Sequence, residues 1–193
     1  MNKNQPWDVI RFKGTGSWNS ITHKATTAVV DNGFLAGAPS VKFTTAANHN
    51  LTAGSVITLD GSTYYDGMYL TLAGTATTLI YVHAKYIAET LTTTDTFKLT
   101  LAPECPFEFG GFNLHLDAAS LTAEDLTITL DAGAGSVYDD NIYTKDMNTL
   151  QNLIWNIKDN PLLFTHKDDQ LDFAWANSNT KTYGLEVFWR RLG

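Results

Sequence analysis

Cysteine is nearly missing from the chain: Cys105, between Glu104 and Pro106, is the single one. One thiol can form neither an intrachain disulfide nor a cysteine-rich zinc site, and an incidental, partly buried residue is the expectation. Clustered positive charge is missing too. Thirteen Lys and Arg stand against twenty Asp and Glu, for a net charge of -7, and the only basic pair is Arg190-Arg191. Broad binding to a phosphate backbone needs clustered cations that displace counterions, so nucleic acid and anionic membrane are poor partners. No apolar run approaches the length that spans a bilayer, and the opening Met1 to Trp7 lacks the apolar core of a signal peptide.

Catalytic and ligand-binding motifs are absent from the sequence as well. His23, His49, His83, His115 and His166 lie tens of residues apart and form no H-x-x-x-H pair. Gly14-Thr-Gly16 has neither the third glycine nor the following helix of a dinucleotide fingerprint, and there is no G-x-S-x-G elbow and no P-loop. Asp139, Asp140 and Asp146, and separately Asp168, Asp169 and Asp172, could gather oxygen ligands around calcium, but neither group has the D-x-D-x-D-G loop, which favours solvated turns. Paired carboxylates for glycoside hydrolysis could still meet from distant strands, although nothing points to them. The expected catalytic, cofactor and metal sets are therefore empty, and an enzyme is not expected.

What the chain does have is alternation. With 193 residues and 44% hydrophobic composition it can hold one domain or two small ones. Leu171, Phe173 and Trp175 share one face of an extended strand, and Tyr183, Leu185, Val187 and Trp189 share one face of the next, because side chains alternate with a period of two. The turn at Asn177 to Asn179 suggests that they form a closing hairpin of central strands. Phe112-Leu114-Leu116 and Leu126-Ile128-Leu130 alternate in the same way. Met147, Leu150, Leu153, Ile154 and Ile157 have a mixed period, read as a helix of one or two turns leading into a strand around Trp155, and Pro161 opens an edge-type run.

Two glycines and a proline between Gly33 and Pro39 suggest a domain boundary, and residues 41–101 shift to Thr, Ala, Gly and Leu with many short alternations. Within them Asn48 to Gly61, Tyr65-Asp-Gly-Met-Tyr69 and Thr94 to Leu99 resemble the pattern H-x-L-x-x-G-x-x-V-x-L-x-G, x-G-x-Y, x-x-F-x-L. That pattern recurs in small β-barrel modules of bacteriophage tail-tip and baseplate proteins and is similar to a β-barrel insertion of ubiquitin-activating enzymes. The resemblance implies a scaffold module whose interior is filled by Leu51, Val56, Tyr69 and Phe97.

Asn113 to Ala119, Leu126 to Asp139, Leu153-Ile-Trp155, Asp169 to Asn177 and Thr182 to Val187 resemble a β-sandwich domain encoded among the virion structural genes of tailed phages. The expected fold is therefore all-β, with a sandwich or jelly-roll-like domain of residues 1–38 plus 103–193 and an inserted small β-barrel of residues 41–101. The resemblance implies a non-enzymatic structural protein of a tailed-phage virion, assembled in the host cytoplasm, on the tail or baseplate exterior or decorating the head. Its expected partners are other virion proteins and further copies of itself in a trimer or closed ring. Exposed aromatics such as Trp18, Tyr64 and Tyr65 keep a second class open, a carbohydrate-binding module for host-surface attachment.

Overall fold

The computed structural model describes residues 5–15, 24–46, 48–49, 51–73, 75, 78–92 and 96–192, with the side chains of 24–27 and 96 excepted. The described residues form strands and one 3-10 turn, Ser136–Tyr138. In chain order the strands are β1 (Asp8–Thr15), β2 (Lys24–Leu35), β3 (Ala38–Thr45), β4 (Val56–Asp60), β5 (Gly67–Leu70), β6 (Leu79–His83), β7 (Thr96–Lys98) and β8 (Thr100–Leu101). Then follow β9 (Phe107–Leu116), β10 (Asp125–Asp131), β11 (Asp140–Asp146), β12 (Asn152–Asn156), β13 (Leu162–Phe164), β14 (Gln170–Trp175) and β15 (Thr182–Arg191). No helix among the described residues is long and apolar enough to cross a membrane.

Two sheets face each other as a sandwich, as the all-β reading requires. The first runs β1-β15-β9-β12, with β13 also on β9, and the second runs β11-β10-β14-β8. Alternation drives the assembly: every second residue of these strands is apolar and the two apolar faces close on each other. Phe12, Phe109 and Phe112 of the first sheet meet Phe173 of the second, with ring centroids 6.1, 6.4 and 6.5 Å away. Leu171, Trp175, Leu185 and Val187 are buried around them, while Trp189 is only partly buried.

The faces of the last two strands are as expected, but their pairing is not. β14 lies between β10 and β8, whereas β15 lies between β1 and β9. They are no hairpin: the connection crosses from sheet to sheet, so their apolar faces look at each other through the core. Asn177 and Thr180, at φ 44° and 52°, turn the chain over, and the Asn177 side chain ties the crossing by donating to Lys181 O at 2.8 Å and accepting from Lys181 N at 2.8 Å. The helix expected after Met147 is also absent; Met147 is a core residue before a turn that opens β12.

The third sheet has six strands in the order β5-β4-β7-β2-β3-β6 and its own core of Val41, Phe43, Ile57, Leu59, Tyr65, Ile80, Val82 and Phe97. It does not close into the expected barrel. Its edges approach closely enough for Leu72 N to donate to Tyr81 O at 2.7 Å, but β5 ends at Leu70, too short for a ladder with β6 that would complete the staggered circuit of a barrel. Of the expected interior residues, Phe97 is buried in this core and Leu51 and Tyr69 pack against it, while Val56 packs on the sandwich core instead.

Sheet membership also moves the expected boundaries. Residues 1–38 do not all join the sandwich: β1 does, but β2 and β3 pair within the third sheet. Gly33 to Pro39 is the hairpin between them, its turn made by Ala36 at φ 52° and Gly37 at φ 84°, a succession of two positive angles that matches the twist of paired strands. The chain returns to the sandwich at Thr100, when β8 pairs with β14, rather than at residue 103.

Candidate functional site

Three features of the described residues are open to chemistry or to partners: a charged cleft between insert and sandwich, a set of exposed aromatic and aliphatic side chains, and the sheet edges.

The cleft is built where β4 and β7 lie against β8 and β14. The Ser55 hydroxyl donates to Lys13 O at 2.5 Å, Gly14 bridges to Leu51, and the Thr58 hydroxyl donates to Thr100 O at 2.9 Å. The insert thus meets the outer edge of β1 at Lys13 and Gly14 and that of β8 at Thr100, one strand from each sandwich sheet. Lys98 is held here with its side chain 10% exposed, its Nζ 2.7 Å from Asp60 Oδ2. Burial pulls its pKa down, but the hydrogen bond it donates to Asp60 and the charges of Asp172, Asp60 and Asp131 outweigh that and leave it raised. Asp131 is raised in turn by its burial and by the neighbouring Asp172 carboxylate, against the pull of Lys98. The Thr100 hydroxyl donates to Asp172 Oδ1. Beside this cluster is a space of about 280 Å³ lined by Asp60, Asp66, Glu104, Lys167 and Asp168 among others. Its carboxylates outnumber its cations, but the arrangement is that of an ion-paired junction, with Lys167 Nζ 2.6 Å from Asp168 Oδ1.

The acidic groups considered for calcium do not converge. Among the described residues no three His, Cys, Asp or Glu side chains are placed to hold a metal ion. Asp139 Oδ1 accepts from Ala132 N at 2.9 Å and Asp146 Oδ1 accepts from Asn148 N at 2.9 Å. Asp169 is buried, its two oxygens accepting from Gly133 N at 3.1 Å and His166 N at 3.0 Å. These carboxylates organise turns. His49 is likewise a backbone anchor: Leu51 N donates to its Nδ1 at 3.0 Å, which leaves Nε2 to donate to Leu79 O at 3.1 Å. His115 sits on the outer face of the first sheet against Asn152, and His23 lies outside the described residues. Cys105 is buried, with Arg191 Nε donating to its sulfur at 3.3 Å.

Of the three aromatics proposed to stack on sugar, Trp18 lies outside the described residues and Tyr65 is buried at 1% exposure. The Tyr65 hydroxyl donates to Ile87 O at 2.8 Å and accepts from Ile87 N at 2.6 Å, pinning the loop before β7 to the insert. Tyr64 is exposed, and the Glu89 carboxylate accepts from its backbone N–H at 3.2 Å. Alternation could not separate the adjacent Tyr64 and Tyr65, because both lie in a loop where no strand period applies. Phe34, Tyr86, Val137 and Tyr138 are further exposed large side chains, and so is Ile154, which the sequence reading had placed in the helix expected after Met147.

On the side of the sandwich away from the insert, β11 is the outer strand of its sheet, and β12 and the short β13 share the outer edge of β9. Tyr143 of β11 stacks on Trp155 of β12 with ring centroids 4.5 Å apart, closing the core between the two edges. Burial raises the Tyr143 pKa. Among the described residues neither backbone edge is paired beyond its one neighbour in the sheet.

Compared with known proteins, the chain matches no family model, no curated protein and no solved structure.

Proposed function

We propose that the chain is a non-enzymatic structural component of a tailed-phage virion, on the tail or baseplate exterior or decorating the head, acting through self-association and contacts with other virion proteins. The observation that carries the reading is the asymmetry of the sandwich edges. The insert sits on the edges of β1 at Lys13 and Gly14 and of β8 at Thr100, while on the opposite side, where Tyr143 and Trp155 stack, no described residue pairs with the outer edge of the uncharged β12. Sheet edges in natural proteins are normally covered, charged or used, and a one-sided open sandwich suits a subunit that is completed by neighbours. The phage-like motifs in both halves of the sequence supply the setting, and the net charge of -7 keeps free subunits apart until they assemble.

The test is a cryo-EM map of particles made from the genome that encodes the chain, with mass spectrometry of the same particles. Density that fits the sandwich and its insert on the particle exterior is the expected result. Purified particles that lack the chain would overturn the proposal. Exposed Tyr64 and Tyr86, near the Tyr65–Ile87 tie, favour the carbohydrate-binding reading as the second. It expects a specific glycan signal that is lost in Tyr64→Ala.

A further inference from the structure

We propose that β12 is a two-fold pairing edge: a second copy of this chain adds its own β12 antiparallel to the first, with Ile154 on the axis. The inference takes the self-association of the proposed function and names its surface, while standing independently of where the particle is used.

The backbone phase of β12 comes first. Leu116 N donates to Gln151 O at 2.8 Å at one end of the strand, and Ile157 N donates to Gly110 O at 3.0 Å just past the other. With Asn152 opposite His115 and Asn156 opposite Gly111, alternation makes Leu153 and Trp155 the residues whose backbone groups bond β9. It turns the N–H and C=O of Asn152, Ile154 and Asn156 outward. All three of these residues are exposed, Ile154 at 70%.

The other outer strands are protected in ways that β12 is not: β13, on the same edge of β9, is three residues long and follows Pro161. The insert meets β8 at Thr100 and β1 at Lys13 and Gly14, and β1 exposes the charges of Asp8, Arg11 and Lys13 along its length. β5 and β6 approach each other through Leu72 and Tyr81. β11 exposes Asp140, Lys145 and Asp146, and its register on β10 shifts between Ile128 and Thr129, the charges and the bulge that discourage pairing between chains. β12 reads Asn-Leu-Ile-Trp-Asn, with no charge, proline or bulge in it.

The strand is also complementary to itself. Antiparallel about Ile154, Asn152 of one copy faces Asn156 of the other, and each outward residue meets an outward residue, so donors face acceptors along the whole strand. Ile154 packs on its counterpart on the outer face of the joined sheet, flanked by the asparagines. In a chain of net charge -7 this places the contact on an uncharged strand. The pairing is two-fold, so it predicts a dimer in place of the trimer or ring expected from sequence.

Site-specific oxidation tests both contact and register. Residues directly opposite in a hydrogen-bonded antiparallel pair have Cα atoms about 5.5 Å apart, within the disulfide range of about 4.4–6.8 Å. Ile154→Cys is therefore expected to cross-link to itself in the full-length chain, whose native thiol, Cys105, is buried. Asn152→Cys is the control, since four residues of offset put it about 14 Å from its counterpart. Sedimentation is expected to show a dimer at high micromolar concentration, with Ile154→Lys weakening it at least about tenfold and leaving the melting temperature unchanged. A monomeric wild-type chain, a trimer, equal cross-linking by Ile154→Cys and Asn152→Cys, or an undiminished dimer in Ile154→Lys would each overturn the inference. A clean dimer from a chain missing in the particles would leave β12 standing and remove the virion role. A chain found on the particle with β12 unpaired would do the reverse.

Discussion

Gly111→Ala is expected to destabilise the fold far more than Gly184→Ala, although both glycines lie in neighbouring strands of the first sheet. Gly111 has φ +101°, and a Cβ built there would lie 1.8 Å from the carbonyl oxygen of Trp155. That oxygen belongs to the β9–β12 ladder, in which Trp155 pairs with Phe112, so it cannot retreat without opening the edge. A residue forced into a sparsely populated conformation costs about 1–3 kcal/mol, and overpacking of this kind adds about 1–3 kcal/mol. Together these give about 2–6 kcal/mol, a large part of the ~5–15 kcal/mol that holds a typical domain. At Gly184 a Cβ would meet nothing within 4 Å, and the change is expected to stay within about 0.5 kcal/mol. Gly110→Ala should fall between them, because its Cβ would come 2.6 Å from Trp7 Cζ3, a side-chain atom able to swing away. Urea denaturation of the three variants with a common m-value decides the matter. A Gly111→Ala midpoint equal to that of Gly184→Ala would show that the β9–β12 register, and the backbone phase deduced for β12 with it, is wrong.

Stability is expected to fall at alkaline pH and Lys98→Met to remove part of that fall. Lys98 has a folded pKa above its ordinary value, as does Tyr69, pushed up to about 12 by burial. A raised pKa contributes stability that is fully present below the unfolded pKa, near 10 for these groups, and lost as pH rises through the folded one. Melting temperatures between pH 7 and pH 11.5 check this, and a curve flat to the end would refute the charge assignment at the junction. Replacing residues 16–98 by a flexible Gly-Ser linker of about 12 residues is expected to leave a sandwich that melts lower and aggregates, because the edges of β1 and β8 and the cover from Val56 and Met68 are lost. Size-exclusion chromatography and thermal melting report it, and an excised chain as stable and as monodisperse as the whole would show that the insert covers nothing that matters.

Local chemistry, readable from the sequence alone, determined the all-β class, the strand faces and the absence of recognisable catalytic spacing. The period of two in Leu171-Phe173-Trp175 and Tyr183-Leu185-Val187 is a property of the strand itself, and every one of these side chains is buried. Which strand lies beside which is not local. The same alternation serves a hairpin within one sheet or a crossing between two, and only the fit of Phe173 among Phe12, Phe109 and Phe112 decides that β14 and β15 oppose each other. Gly33 to Pro39 shows a similar division: two glycines and a proline establish a break in the chain, but a hairpin turn and a domain boundary use the same residues. Val56 shows it again, since its strand puts Ile57 and Leu59 into the insert's core and Val56 on the opposite face, against the sandwich. The open edge at β12 was least legible, because an apolar Ile154 in sequence reads as buried. Its exposure follows from the strand phase imposed by β9, which puts Leu153 and Trp155 toward the core and leaves Ile154 outside.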